Sequence, residues 1–208
     1  MNGKRTETEQ TENRKNRNYE PELPEGYGEA LVVDATTKKF SIRMNLAALA
    51  AMLVIAVPAF FIIQPLKERP EANLLPVVVF MAALLAYVVL HELVHGAAYK
   101  LMTGHKLTFG FTATVAYCGV PDIYVYRKTA LIALLAPFIV FSVVFALTAA
   151  LVPTPVEKFL GVVLFALHFG GCVGDLYDTA LFLTKLRDPG TLMRDTGPVQ
   201  TFYLPAKD

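Results

Sequence analysis

Four apolar runs dominate this chain, each long enough to cross the roughly 30 Å hydrocarbon core of a bilayer as a helix of about 20 residues. They are NLAALAAMLVIAVPAFFIIQPL from Asn45, NLLPVVVFMAALLAYVVLHELVHGAAY from Asn73, TALIALLAPFIVFSVVFALTAALV from Thr129 and VEKFLGVVLFALHFGGCVGDLYDTALFLTKL from Val156. In lipid no water satisfies the backbone, so such runs must bond within themselves. They predict helical spans at 45–66, 74–100, 129–152 and 156–186. Pro58 and Pro137 fall inside spans, where neighbouring helices can satisfy the freed carbonyls, and they predict kinks. The expected fold class is an all-α membrane protein of about four transmembrane helices. Composition agrees: 54% of the 208 residues are hydrophobic and only 18% are charged, too few for an ordinary soluble domain.

Charge sets the expected orientation. Lys38, Lys39 and Arg43 precede the first span, Lys100, Lys106, Arg127 and Lys128 lie between the second and third, and Lys185, Arg187 and Arg194 follow the fourth. The opposite connections, KERPEA and PTPVEK, are short and carry less net positive charge. The positive-inside rule therefore predicts both termini and the middle loop in the cytoplasm of a multi-pass cell-membrane protein. A net charge of +1 gives no sign of a nucleic-acid partner. Residues 1–26 are polar and proline-punctuated, which predicts a disordered cytoplasmic tail before a membrane-embedded domain over 27–208. The middle loop, GHKLTFGFTATVAYCGVPDIYVYRK, partly alternates and contains turn chemistry, so a cytoplasmic β-hairpin is expected between the second and third spans. Cys118 and Cys172 lie in different kinds of segment and read as small reduced side chains.

The second apolar run carries His91, Glu92 and His95 near its end. Ionisable groups within a span are costly, and by default they mark function. His91-Glu92-Leu93-Val94-His95 has the HExxH form, whose i, i+4 spacing stacks two imidazoles on one helix face within reach of one metal ion, with Glu92 as general base. A catalytic zinc usually takes three protein ligands, so a third must come from elsewhere. The HExxHxxGxxH continuation fails, because Ala98 and Leu101 stand at its Gly and His places. Glu157, the only glutamate downstream of Glu92, belongs at the opposite membrane face. This leaves His105, His168, Asp122, Asp175, Asp178, Asp188 and Asp195. Depth favours the fourth span, where Asp175 is the leading ligand and Asp178 the runner-up or an outer partner of a histidine. Gly170 and Gly174 form a small-xxx-small pair for close helix approach, and seven-residue spacing puts His168 on nearly the face of Asp175. His168 is left with two roles, a donor to substrate or a helix-packing hydrogen bonder. Asp188 and Asp195 fall in RDPGTLMRDTGP, where turn and capping roles are expected.

HELVHG, followed by a hairpin, LLAPF and GDLYD, resembles a small bacterial membrane family described as putative zincin peptidases. More distantly it is similar to site-2 protease type intramembrane zinc metalloproteases, although their Asn-Pro-Pro-Leu-Asp-Gly segment and PDZ insertion are absent. The resemblance, over residues 73–205, implies a membrane-embedded zinc endopeptidase with a protein or peptide substrate, in which His91, His95 and Asp175 hold Zn2+ and Glu92 is catalytic. The competing readings are a non-catalytic metal-binding scaffold or sensor and a small transporter. Retention of Glu92 argues against the first, since a structural metal site needs no general base, and the lack of an inverted repeat argues against the second.

Overall fold

The computed structural model describes residues 17–65, 74–112 and 116–206. Three long apolar helices form: α1 (Lys38–Ile63), α2 (Leu75–Thr103) and α3 (Arg127–Leu151). Each is apolar enough to cross a membrane. The fourth run is a bent pair, α4 (Pro155–Gly171) and α5 (Val173–Thr184), which meet at 47° and complete a fourth span if taken as one. Pro58 and Pro137 lie inside α1 and α3 as expected. Val54 and Ile62, 74% and 79% exposed, show the apolar outer surface of α1, which has no buried residue at all. A helix so apolar and so exposed is compatible with a lipid surrounding rather than a protein core.

α4 starts on a capping box in which the Thr154 hydroxyl accepts from the Glu157 N–H at 3.2 Å and Glu157 Oε2 accepts from the Thr154 N–H at 3.3 Å. Glu157 thus serves the far end of the bundle. Gly161 and Gly170 then let α4 press on its neighbours. A Cβ on Gly161 would stand 3.0 Å from Ala149 Cα of α3, and one on Gly170 would stand 2.7 Å from Met52 Cγ and 3.0 Å from the Ala48 carbonyl oxygen of α1. Gly174, by contrast, faces open space, so the close approach expected of the Gly170/Gly174 pair belongs to Gly170 with Gly161. The break at Cys172 follows the Gly170–Gly171 pair, a sequence prone to kinking.

The all-α expectation needs correcting. Strands β1 (Tyr19–Glu20), β2 (Tyr27–Asp34), β5 (Tyr124–Tyr126), β6 (Leu192–Asp195) and β7 (Val199–Pro205) form one antiparallel sheet in the order β1-β5-β6-β7-β2. Its strands come from before α1, between α2 and α3, and after α5, so all three segments gather at one end of the helices. Val125, Met193 and Phe202 from the sheet bury against Ala130, Leu134, Leu181 and Phe182 of α3 and α5, which fastens the sheet to the bundle. The tail expected over residues 1–26 contains strand pairing at Tyr19–Glu20. Residues 1–16 lie outside the described residues, but β1 pairs with β5, the Asn18 amide donates to the Met102 carbonyl at 2.8 Å, and the Tyr126 hydroxyl donates to Glu20 at 2.6 Å. The expected hairpin is present as β3 (Thr108–Phe111) antiparallel to β4 (Ala116–Gly119).

Candidate metal centre

Along α2, Tyr87, His91, His95, Tyr99 and Thr103 recur every fourth residue, and all five are buried. A four-residue step nearly matches the 3.6-residue turn, so they form one polar stripe facing the bundle interior. The sheet end of α2 is anchored through this stripe. The Tyr99 hydroxyl donates to Asp195 Oδ2 at 2.7 Å, while Asp195 Oδ1 accepts from the Gly197 N–H at 2.9 Å. Asp195 therefore makes the turn contact expected of it and also locks the β6–β7 turn onto the motif helix. Burial pushes its carboxyl above the usual carboxylate range, and burial likewise pushes the Cys118 thiol up to about 12.

Gly96, next to His95, makes room for the hairpin. A Cβ there would meet the Phe109 ring at 2.8 Å, Leu107 Cδ1 at 3.0 Å and Cys118 Sγ at 3.3 Å. Side-chain volume at this position would push β3 and β4 away from the histidines.

Hydrogen bonds fix both imidazoles of the motif. His95 Nδ1 lies 2.8 Å from the Ala133 carbonyl oxygen of α3. That oxygen can only accept, so in the neutral ring Nδ1 carries the proton and Nε2 a lone pair. A longer chain of bonds does the same for His91. His168 Nε2 is 3.3 Å from the Phe138 carbonyl and 3.2 Å from Ser142 Oγ, so it donates, and His168 Nδ1 accepts from the Tyr87 hydroxyl at 3.1 Å. The same hydroxyl is 3.1 Å from His91 Nδ1 and must therefore accept there, leaving His91 Nε2 bare. His168, fully buried, reaches the motif only through Tyr87, and its bonds are those of a helix-packing side chain.

The bend at Cys172 places Asp175 in the first turn of α5, pointing back at α2. His91 Nε2 and His95 Nε2 are 3.2 Å apart, Asp175 Oδ2 is 3.3 Å from His91 Nε2, and Asp175 Oδ1 is 3.4 Å from His95 Nε2. Ligands about 2.0–2.1 Å from a tetrahedral zinc stand roughly 3.3–3.4 Å from one another. Two lone pairs and a carboxylate facing each other at that spacing repel unless a cation lies between them, so the donor set fits zinc. His91, His168 and Cys172 also have ligand atoms within 4.8 Å of one another, but the Tyr87 hydroxyl already bridges the two imidazoles there.

Glu92 and the three donors line one cavity of about 460 Å3, bounded by α1, α2, α5, the inner strand β4 and the β6–β7 turn. Asp178 lines it too, although it is not grouped with the donors. The other candidates lie apart: His105 packs edge-on against Tyr19 at 4.6 Å, Asp122 is exposed beyond β4, and Asp188 accepts from the Gly190 N–H at 2.7 Å. Tyr87 was missed by the sequence reading, and its signal was the step of four residues back from His91.

No curated protein and no solved structure matches the chain. One family profile does, over residues 84–188, which contain the HELVH segment, His168, Asp175 and Asp178 and make up half of the chain. The chain belongs to that family, described as "Putative zincin peptidase" (DUF3267).

Proposed function

We propose that this protein is a membrane-embedded zinc endopeptidase that hydrolyses peptide bonds of a membrane or membrane-proximal protein, with both termini in the cytoplasm. The observation carrying this reading is the meeting of His91, His95 and Asp175 at 3.2–3.4 Å, from helices far apart in sequence, on a cavity that Glu92 also lines. Pairing HExxH on one helix with an aspartate on a later one supports kinship with the site-2 protease type. Zinc held there by His91, His95 and Asp175 would supply Lewis-acid polarisation of a scissile carbonyl and a lowered pKa for an attacking water. Glu92 would serve as general base and then acid, taking a proton from the attacking water and returning it to the departing amine nitrogen. His95, held by the Ala133 carbonyl, and His91, held by Tyr87, keep their Nε2 atoms aimed inward without rearrangement.

Substrate reaches the site as an extended strand. β4 pairs with β3 on one side, and its residues Ala116, Tyr117 and Cys118 line the cavity, so an unwound peptide can add to β4 and present its carbonyls to the metal centre. Helical substrates hide their amides in internal bonds and must unwind first.

The test is zinc content of the detergent-purified protein together with cleavage by Glu92→Gln. About one zinc per chain is expected in wild type and in Glu92→Gln, with loss in His95→Ala and Asp175→Ala. Glu92→Gln should lower turnover by roughly 100-fold or more. Cleavage by Glu92→Gln at the wild-type rate would refute the mechanism.

A further inference from the structure

Asp178 is 4% exposed and lines the same cavity as the metal donors. Among the described residues, the buried side-chain oxygens without a hydrogen-bond partner are Asp178 Oδ1 and Thr179 Oγ1. The cavity wall holds four carboxylates, Glu92, Asp175, Asp178 and Asp195, and no lysine or arginine among the described residues. Three of the four have work to do. Asp175 faces the two imidazoles, Asp195 is bonded by Tyr99 and Gly197, and Glu92 stands beside the metal donors in the HExxH motif. Asp178 sits three residues beyond Asp175 on α5, a spacing that puts side chains next to each other on one helix face. A buried carboxylate without a hydrogen-bond partner, on the wall of a cavity without basic side chains, is suited to a cationic donor brought from outside the chain.

We propose that Asp178 is a specificity-determining carboxylate that receives a cationic N–H donor of the peptide substrate, one helical turn from Asp175. The inference rests on the peptidase reading. Two parts of a peptide offer this chemistry, a lysine or arginine side chain and a free α-amine, and either would fix the scissile bond in register with the metal centre. An aliphatic residue of equal length leaves the Asp178 oxygen without its partner and binds more weakly.

Peptidyl hydroxamates test this without any need for turnover, because the hydroxamate itself binds zinc. Three probes suffice: acetyl-lysyl hydroxamate, acetyl-norleucyl hydroxamate, which has nearly the same length without charge, and norleucyl hydroxamate with a free α-amine. Each is titrated into zinc-loaded wild type and Asp178→Asn, with zinc content measured in both. In wild type, one or both cationic probes should bind roughly 10- to 100-fold tighter than acetyl-norleucyl hydroxamate. The cationic probe that gains identifies the source. Asp178→Asn should keep its zinc and abolish the preference while binding the neutral probe as before, and Asp178→Glu should keep part of the preference. Equal binding of all three probes by zinc-loaded wild type overturns the proposal and leaves the metal centre standing. So does a second zinc per wild-type chain that is lost in Asp178→Asn. Absence of zinc from wild type, with no probe bound, overturns the peptidase reading and this proposal together.

Discussion

At the residue scale, the Tyr87 hydroxyl orients His91 of the candidate metal centre. It accepts from His91 Nδ1 and donates to His168 Nδ1, each at 3.1 Å, and so ties α2 to α4 and fixes which nitrogen of His91 faces inward. Tyr87→Phe keeps the ring, which packs edge-on against Phe141 and Phe145, and removes only the hydroxyl. Zinc affinity, measured by competition with a chromophoric chelator, should fall about 10- to 100-fold, the usual cost of losing the partner that orients a ligand histidine. Thermal stability of the metal-free protein should change far less. An unchanged zinc affinity would mean that His91 is oriented by packing alone. The meeting of His91, His95 and Asp175 was legible in the sequence, because the HExxH spacing carries its own geometry and the expected depth favoured Asp175. Tyr87 was not, since one tyrosine in an apolar run passes for packing until the stripe of five is seen.

At the element scale, the bend between α4 and α5 turns a run that reads as one continuous span into two helices, the second aimed at α2. Two glycines that look alike in the sequence behave differently here. Gly170 lies against the Ala48 carbonyl and Met52 of α1, whereas Gly174 has nothing within 4 Å of its absent side chain. Gly170→Ala should therefore push α1 off α4 and destabilise the detergent-solubilised protein by about 1–3 kcal/mol, while Gly174→Ala should be close to neutral. Thermal melts of the two variants side by side decide the matter, and equal melting temperatures would show that the α1–α4 contact carries no stability. The long helices were readable because continuous apolar runs of that length show their own extent in the sequence. The sheet was not: β1, β5 and β6 are two, three and four residues long, and β1 and β6 find their partner β5 more than 60 residues away in sequence. Periodicity needs a longer run than that to show itself.

At the scale of the whole molecule, the sheet acts as a topological clamp. Because β2 leads into α1, β5 joins α2's connection to α3, and β6 and β7 follow α5, the chain must run out along the bundle and return an even number of times for these strands to meet. The bent pair α4–α5 therefore makes the fourth pass along the bundle. The basic residues Lys38, Lys39, Arg127, Lys128 and Lys185 cluster at the sheet end, which in the proposed orientation faces the cytoplasm. In that proposed orientation the candidate metal donors belong to the cytoplasmic half of the membrane, since His95 stands only two turns from the end of α2, roughly 12 Å along its axis. Single-cysteine labelling of intact cells with a membrane-impermeant maleimide checks this. The native cysteines are buried, and the Cys118 thiol, pushed up to about 12, stays neutral and unreactive at working pH, so background should be low. Pro153→Cys, exposed between α3 and α4, should label in intact cells, whereas Lys39→Cys and Lys185→Cys, exposed at the sheet end, should label only after the membrane is opened. Labelling of Lys39→Cys and Lys185→Cys from opposite sides would contradict the sheet, because α1 and α5 could not then share one. Labelling of both from outside would keep the fold, invert its orientation, and move the expected substrates to the outer half of the membrane.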